Sequence, residues 1–131
     1  MSEASVSWLH RVKFKEGDVI FREGEPGDRA YIVETGLVKI TKLVGGKQVI
    51  LGTIEGNGVF GEMALIDETT RIATAMAVVD TVCIPVPKEA IQRRLANADA
   101  LVQKLVHVLL ANARNLNDLL TKSLLDSPMK R

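Results

Sequence analysis

The segment LVKITKLVGGKQVILGTI at residues 37–54 decides the fold class. Residues 37–43 alternate in part between apolar and polar side chains, which is typical of a strand with one buried face. The pair Gly45-Gly46 separates this strand from a second one at residues 48–54. Two adjacent glycines favour a tight hairpin turn of a primed type, in which both central residues have a positive φ. The segment therefore predicts an antiparallel β-hairpin.

Further short strands are predicted on both sides of this hairpin. Segments rich in Val, Ile or Tyr occur at residues 18–21, 30–33, 72–79 and 81–86, and these residue types favour strands. All ten glycines lie between Gly17 and Gly61, so we expect tight turns between the strands. Regularly spaced short strands predict a β-sandwich, barrel or roll.

The periodicity changes after Pro87. Residues 88–95 fit a short helix, and residues 98–126 fit a longer one capped by Asn97 or Asp99,. Apolar residues recur along the longer helix in steps of three and four, and they form a band wider than one packing face needs. Three asparagines interrupt this band: Asn112, Asn115 and Asn117. We expect the band to meet a second copy of the chain or a partner protein; packing within the chain alone is the alternative.

Composition narrows the possible functions. The 131 residues predict one domain spanning 1–131, and 17 basic against 16 acidic residues give a net charge of +1,. We therefore expect no nucleic-acid partner and no membrane partner. A single cysteine, Cys83, which we expect to be buried in a strand, forms no intramolecular disulfide. His10 and His107 are too few for a three-histidine metal centre,.

Neither a metal nor a cofactor is expected, and no nucleophile and base are paired in the sequence, so we expect no enzymatic activity. Residues 1–7 contain no apolar run, and no segment approaches about 20 consecutive apolar residues,. We therefore expect neither a secretory signal nor a membrane span, and a cytoplasmic location.

The segment GVFGEMALIDETTRIATA at residues 58–75 carries the chemistry. Three predicted features of this segment suit an anion. They are a turn ending at Gly61, one or two helical turns at residues 62–66 and a strand opening at Arg71. Free N–H groups at a helix start attract anions, and an arginine grips a phosphate with two parallel hydrogen bonds. Glu62 repels phosphate, unless its carboxylate accepts a hydrogen bond from a neutral group such as a ribose 2′-hydroxyl. This favours a nucleotide with about one phosphate charge; a solvated or ion-paired arginine is the alternative.

This segment resembles the phosphate-binding cassette of the cyclic nucleotide-binding domain family. The family includes the catabolite activator protein, the regulatory subunits of protein kinase A and cyclic-nucleotide-gated channels. The matching motifs are FGEMAL at residues 60–65 and RIAT at residues 71–74, with the family's spacing between them. Upstream, FKEGDVIFREGEPGD at residues 14–28 and YIVETGLV at residues 31–38 are similar to the family's first strands and turns. The resemblance extends over roughly residues 12–120.

The resemblance implies a mainly β fold with helices. It is an eight-stranded, jelly-roll-like β-roll at about residues 12–87, flanked by an N-terminal helix and by C-terminal helices at about residues 88–125. The resemblance also implies a ligand site built from nine residues: Phe60, Gly61, Glu62, Met63, Ala64, Leu65, Arg71, Ile72 and Ala73.

The resemblance gives several of these residues a role. Glu62 would accept a hydrogen bond from the ribose 2′-hydroxyl, and Arg71 would pair with the cyclic phosphate. The backbone N–H groups of Ala64 and Ile72 would point at that phosphate. Gly61 would permit its close approach, and Ala73 would keep the pocket wall small.

One position departs from many members of the family, which carry Ser or Thr where this chain has Ile72. The missing hydroxyl favours cAMP over cGMP. For the group that covers the base, the long helix offers polar candidates among which the sequence does not choose: Asn112, Asn115 and Thr121.

The predicted function is a sensor that binds a cyclic nucleotide and closes its C-terminal helices over it. One alternative is a truncated transcription regulator, since the catabolite-activator type continues into a helix-turn-helix that we do not expect within this chain. Another is an interaction module that no longer binds nucleotide, against which the presence of both Glu62 and Arg71 argues. A cupin-like enzyme needs a histidine-rich metal site, which two histidines do not provide.

Overall fold

The computed structural model describes residues 10–65 and 70–125, with the backbone alone at residues 117–121 and 123–125. Its strands are β1 Val12–Phe14, β2 Val19–Phe21, β3 Arg29–Thr35, β4 Leu37–Val44, β5 Lys47–Glu55, β6 Val59–Phe60, β7 Thr74–Ala77 and β8 Thr81–Pro87. They form two four-stranded antiparallel sheets, in the orders β1-β8-β3-β6 and β2-β7-β4-β5. The two sheets pack around a shared core, which confirms the predicted β-roll.

The β4–β5 hairpin confirms the prediction from the central segment. Val44 pairs with Lys47, and the two turn residues, Gly45 and Gly46, have φ values of 58° and 83°. Two positive φ values define the type I′ turn, whose twist matches that of the flanking strands. The register shifts between Ile40 and Thr41, so the hairpin bends partway along its length.

Strand β7 is shorter than the predicted strand at residues 72–79, and the prediction that Arg71 opens a strand is wrong. The N–H of Arg71 donates to the carbonyl of Glu25 at 2.6 Å, and the Arg71 carbonyl accepts from the N–H of Gly24 at 2.8 Å. These bonds attach Arg71 to the turn between β2 and β3. Because its backbone groups are used there, the residue is not part of a sheet, and β7 begins only at Thr74,.

The core contains small and branched side chains together with an aromatic group. Its buried members are Val33, Val38, Phe60, Ala75 and Cys83, and Phe14, Phe21 and Tyr31 pack against them. Cys83 is fully buried, as predicted for a strand residue. This burial raises the pKa of the Cys83 thiol to about 11, so the thiol stays protonated at neutral pH.

Two α-helices follow the sheets, α1 at Lys88–Ala96 and α2 at Ala100–Leu125. Asp99 is the cap of α2, because its Oδ1 accepts from the N–H groups of Leu101 at 2.9 Å and Val102 at 3.1 Å,. Asn97, the other candidate, instead ends α1. Helix α2 packs against α1 and against a short 3₁₀ helix at Glu62–Leu65. No helix among the described residues is both long and apolar enough to cross a membrane.

The described strands lie within residues 12–87 and the described α-helices within residues 88–125. That residues 1–131 form a single domain stays a prediction. The expected N-terminal helix lies outside the described residues.

Candidate functional site

A cavity of about 180 Å³ opens beside the core. Strands β4 and β5 contribute a largely apolar wall, while β6, the 3₁₀ helix and residues 70–73 form the opposite parts. Phe21, Ile40, Ile54 and Phe60 belong to both the core cluster and the cavity wall. Among the described residues, the wall contains two charged groups, Glu62 and Arg71. The described wall is therefore largely apolar, with one negative and one positive group.

Eight of the nine predicted site residues line this cavity: Phe60, Gly61, Glu62, Met63, Ala64, Arg71, Ile72 and Ala73. The predicted Leu65 is half-buried at the end of the 3₁₀ helix and is not part of the wall. The cavity also has lining residues that the sequence did not suggest: Phe21, Ile40, Leu51, Gly52, Ile54, Val59 and Thr70. Most of them lie in strands whose apolar pattern indicated only a buried face.

Arg71 is the most unusual group in the cavity. The residue is only 8% exposed, and its Nε has no hydrogen-bond partner within the described residues. One terminal nitrogen, Nη1, makes a long hydrogen bond of 3.4 Å to the Gly61 carbonyl. No carboxylate among the described residues forms an ion pair with it, and burial lowers the pKa of Arg71. A buried cation without an anionic partner is costly, so the site favours an anion.

The guanidinium lies in a narrow slot between an aromatic ring and two glycines. Its Cζ lies 3.9 Å from the centroid of the Phe21 ring, a cation–π contact. On another side is Gly61, whose φ of 72° is a left-handed conformation that suits glycine,. A Cβ atom at Gly61 would stand 2.9 Å from Nη1 of Arg71. The remaining side of the slot is formed by Gly27.

The segment that carries Arg71 is also fixed from the side of β4. The Nζ of Lys42 donates to the carbonyl of Ile72 at 2.7 Å and lies 3.2 Å from a carboxylate oxygen of Glu23. The other oxygen of Glu23 accepts from the N–H of Leu43 at 3.0 Å, and this bond is the main reason why the pKa of Glu23 is lowered. Strand β4 therefore holds both the turn after β2 and the residue next to Arg71.

Glu62 begins the 3₁₀ helix and lines the cavity. Within the described residues no hydrogen bond or ion pair engages its carboxylate, so both oxygens can accept from a ligand. The N–H of Ala64, predicted to point at a phosphate, donates at 3.2 Å to the carbonyl of Gly61. That bond is long, and an anion can compete for it.

Two of the three predicted base-covering candidates do not reach the cavity in this structure. Asn112 and Asn115 are exposed on α2, and neither is in the wall; the side chain of Thr121 lies outside the described residues. His107 is exposed on the same helix. The described residues contain no group of three or more His, Cys, Asp or Glu side chains arranged to hold a metal ion.

The family model of the cyclic nucleotide-binding domain matches residues 11–98 of this chain. This range includes all the strands, the cavity and helix α1, and it exceeds half of the chain. The chain therefore belongs to the cyclic nucleotide-binding domain family, as the cassette motif indicated.

Individual relatives agree with this assignment. The CRP-like cAMP-activated global transcriptional regulator of Mycobacterium tuberculosis is 30% identical over 111 residues, which cover 84% of this chain and 50% of that protein. The chain thus spans half the length of this curated relative.

Solved structures are similar to this chain in both fold and sequence. The catabolite activator protein of Thermus thermophilus superposes with a TM-score of 0.72 at 32% identity, over 93% of this chain and 57% of that chain. The cAMP-bound form of the EAL enzyme Bd1971 superposes with a TM-score of 0.68 at 37% identity, over 82% of this chain and 29% of that chain. The shared unit is thus found in a catabolite activator protein and in an enzyme.

Proposed function

We propose that this chain is a sensor module whose ligand is cAMP and whose output is the position of helix α2. The observation that carries the proposal is Arg71, which is buried in the wall of a largely apolar cavity and has no ion pair with a carboxylate among the described residues. A cyclic phosphate has a single negative charge, which matches this single cation. Its oxygens can accept hydrogen bonds from the guanidinium, and these are stronger than bonds between neutral groups.

Glu62 supports a nucleotide rather than a simple anion. A carboxylate in the same cavity disfavours a second negative charge, but it accepts a hydrogen bond from a hydroxyl,. A ribose 2′-hydroxyl beside a cyclic phosphate supplies that donor. The apolar wall formed by Ile40, Leu51 and Ile54 offers contact area for the flat base,.

Ile72 supports cAMP over cGMP. Its side chain is 40% exposed and lines the cavity, and it has no hydroxyl to donate to a polar edge of guanine. An apolar residue at this position does not compensate the desolvation of guanine's extra polar groups. Adenine has fewer such groups, so its desolvation costs less.

The contact between the 3₁₀ helix and α2 supports the proposed output. The 3₁₀ helix carries Glu62 on the cavity side and packs against α2 and α1. A ligand that draws Glu62 and the Ala64 N–H toward itself changes the surface on which α2 rests. The ligand then biases α2 only by the difference between its affinities for the two arrangements.

The part of the cavity wall that the structure describes contains no histidine, cysteine or lysine. A guanidinium and a carboxylate suffice to bind and orient a cyclic nucleotide. They do not form the nucleophile and base of a reaction. The proposal therefore assigns binding and signalling to this chain.

Isothermal titration calorimetry with cAMP, cGMP and 5′-AMP tests the proposal. We expect cAMP to bind with a dissociation constant of about 1 μM or lower, which corresponds to about −8 kcal/mol. We expect cGMP to bind more weakly, and 5′-AMP more weakly still because its phosphate carries a second charge near Glu62. Absence of heat and of any thermal shift with both cyclic nucleotides at millimolar concentration would support the interaction module instead.

The proposed output needs a second measurement. His107 is exposed on α2, and the single native cysteine is buried and protonated, so His107→Cys can be labelled selectively with a spin probe. We expect cAMP to change the distance from this probe to a second one on Gly56→Cys. An unchanged distance distribution at saturating cAMP contradicts the movement of α2 but not the binding.

A further inference from the structure

Gly27 lies in the turn between β2 and β3, directly against the side chain of Arg71. A Cβ atom at Gly27 would stand 2.6 Å from Nε, 2.8 Å from Cζ and 2.9 Å from Cδ of Arg71. Such separations are well below van der Waals contact, so no side chain fits there while Arg71 keeps its place. The φ of Gly27 is not positive, so the backbone itself does not require glycine. What the position requires is the absence of a side chain, which leaves space for the side chain of Arg71.

The rest of the slot leaves the guanidinium little freedom to move aside. The Phe21 ring and Gly61 occupy two other sides. The Arg71 backbone is bonded at its N–H to Glu25 and at its carbonyl to Gly24. Since the backbone is fixed to the same turn that carries Gly27, an added methyl group at Gly27 displaces the arginine head, which is the flexible part.

We propose that Gly27 is a positioning residue for Arg71: its lack of a side chain keeps the guanidinium in the slot beside the cavity, where it binds an anion. The inference rests on the proposed function, because the anion is the phosphate of the cyclic nucleotide. Gly27 is absent from the cavity wall, so it acts through Arg71 and not by touching the ligand.

The test compares Gly27→Ala with Gly56→Ala by calorimetry with cAMP. Gly56 is a matched control, because it is an exposed turn glycine without a positive φ and a Cβ atom there would meet nothing within 4 Å. We expect Gly27→Ala to weaken cAMP binding by roughly tenfold or more, the scale on which displacing a positioned group by about 1 Å matters. Gly56→Ala should bind as the wild type does.

A double-mutant cycle with Arg71→Ala separates positioning from a general structural defect. If Gly27 acts through Arg71, Gly27→Ala causes no further loss of affinity in the Arg71→Ala background. The ratio of affinities for cAMP and 2′-deoxy-cAMP should also stay the same in Gly27→Ala, because the substitution acts on the arginine that binds the phosphate and leaves the proposed partner of the 2′-hydroxyl, Glu62, unchanged. Equal, additive losses in both backgrounds would overturn the proposal.

The same cycle in the absence of ligand covers the case in which Gly27→Ala folds poorly. If the methyl group clashes only with the arginine head, the thermal midpoint that Gly27→Ala loses is recovered in the Gly27→Ala/Arg71→Ala double variant. A loss that persists there assigns the defect to the turn itself and overturns the proposal. A wild-type chain that binds no cyclic nucleotide overturns the proposed function, whereas wild-type affinity in Gly27→Ala overturns only the role of Gly27.

Discussion

The guanidinium of Arg71 stacks on the ring of Phe21, with Cζ 3.9 Å from the ring centroid. The ring is held in turn by Phe60 and Tyr31, at centroid distances of 5.9 and 6.3 Å. A cation over an aromatic face gains about 0.5–2 kcal/mol, which offsets part of the cost of burying it. The aromatic core thereby holds a positive charge ready beside the cavity, before any ligand arrives.

Removing this cation should abolish most of the affinity for cAMP. We expect Arg71→Ala to weaken binding by about 2–5 kcal/mol, or ~30-fold and more, because the buried phosphate then lacks its charged partner. Arg71→Lys should also weaken binding, since an ammonium does not reproduce the planar fork of hydrogen bonds. Calorimetry measures both. Wild-type affinity in a folded Arg71→Ala variant would remove Arg71 from the site.

The buried charge of Arg71 should also make the ligand-free protein less stable. Arg71→Met keeps an unbranched chain against Phe21 but removes a buried charge whose Nε is unpaired. We expect the free energy of unfolding to be unchanged or about 1–2 kcal/mol higher, as when buried charges are replaced by apolar groups. Denaturant titration without nucleotide checks this. A clear loss of stability would mean that the fold itself, and not only the ligand, requires the cation.

Glu62 should discriminate between a ribose and its 2′-deoxy analogue. We expect 2′-deoxy-cAMP to bind the wild type about 1.5–3 kcal/mol more weakly than cAMP, the scale of a hydrogen bond to a charged group. Glu62→Gln should lose much of this difference while keeping the contribution of Arg71. Equal binding of both nucleotides to the wild type would show that the ribose assignment is wrong even if the phosphate assignment holds.

An element of the fold could be predicted from the sequence where neighbouring residues determine it, and could not where contacts between distant residues determine it. The β4–β5 hairpin was predictable because alternation and the Gly45-Gly46 pair act over a few residues. The two-residue strand β6 was not, because its pairing with β3 is a tertiary contact without a periodic pattern of its own. Arg71 seemed to open a strand because the residues after it are strand-like, but its backbone bonds go to Glu25 and Gly24, far away in sequence.

The candidate site shows the same difference between features set by neighbouring residues and features set by distant contacts. The cassette motif identified the residues from Phe60 to Ala64 and from Arg71 to Ala73 that line the cavity. Phe21, which carries the cation–π contact, lay in a strand whose sequence indicated only burial. Gly27 is one of the ten glycines for which the sequence predicts only turns, and nothing local reveals that Arg71, 44 positions later, passes across it. Contacts of this kind follow from how the two sheets are placed.

Acid should loosen the segment that carries Arg71. The folded-state pKa of Glu23 is lowered, chiefly by the Leu43 N–H and further by Lys42. A lowered pKa contributes stability that is fully present above the unfolded value of about 4.3 and is lost as pH falls through the folded value. Because Lys42 also holds the Ile72 carbonyl, protonation of Glu23 weakens this support.

We therefore expect Glu23→Gln to lower the free energy of unfolding by about 1 kcal/mol at pH 7, a modest value because the side chains are partly exposed. The difference from the wild type should shrink as pH falls below about 4.3. Denaturant titrations of both proteins between neutral and acidic pH measure it. Arg11–Glu34 and Asp28–Arg29 are present in both proteins, so their titration cancels. A difference that stays constant over this range would contradict the role of Glu23.

Helix α2 should mediate a modest dimer. Its inner face, with Val106, Leu110 and Ala113, is half-buried, but Leu101, Leu105 and Leu116 are 77%, 54% and 68% exposed. An apolar stripe of this size is unusual on a surface that nothing covers, and a second copy of the helix would cover it.

Asn112 falls within the stripe, and a polar residue at a helix seam fixes the register at a cost in stability. We therefore expect weak association that responds to cAMP, because in the proposed mechanism the ligand alters the surface on which α2 rests. Light scattering with and without cAMP measures it, and Leu105→Gln should shift the protein toward monomer whereas the exposed His107→Gln should not. A strict monomer at about 100 μM in both states would place any association free energy above about −5.5 kcal/mol, and the stripe would then serve as a lid over the nucleotide or as a docking surface for another protein.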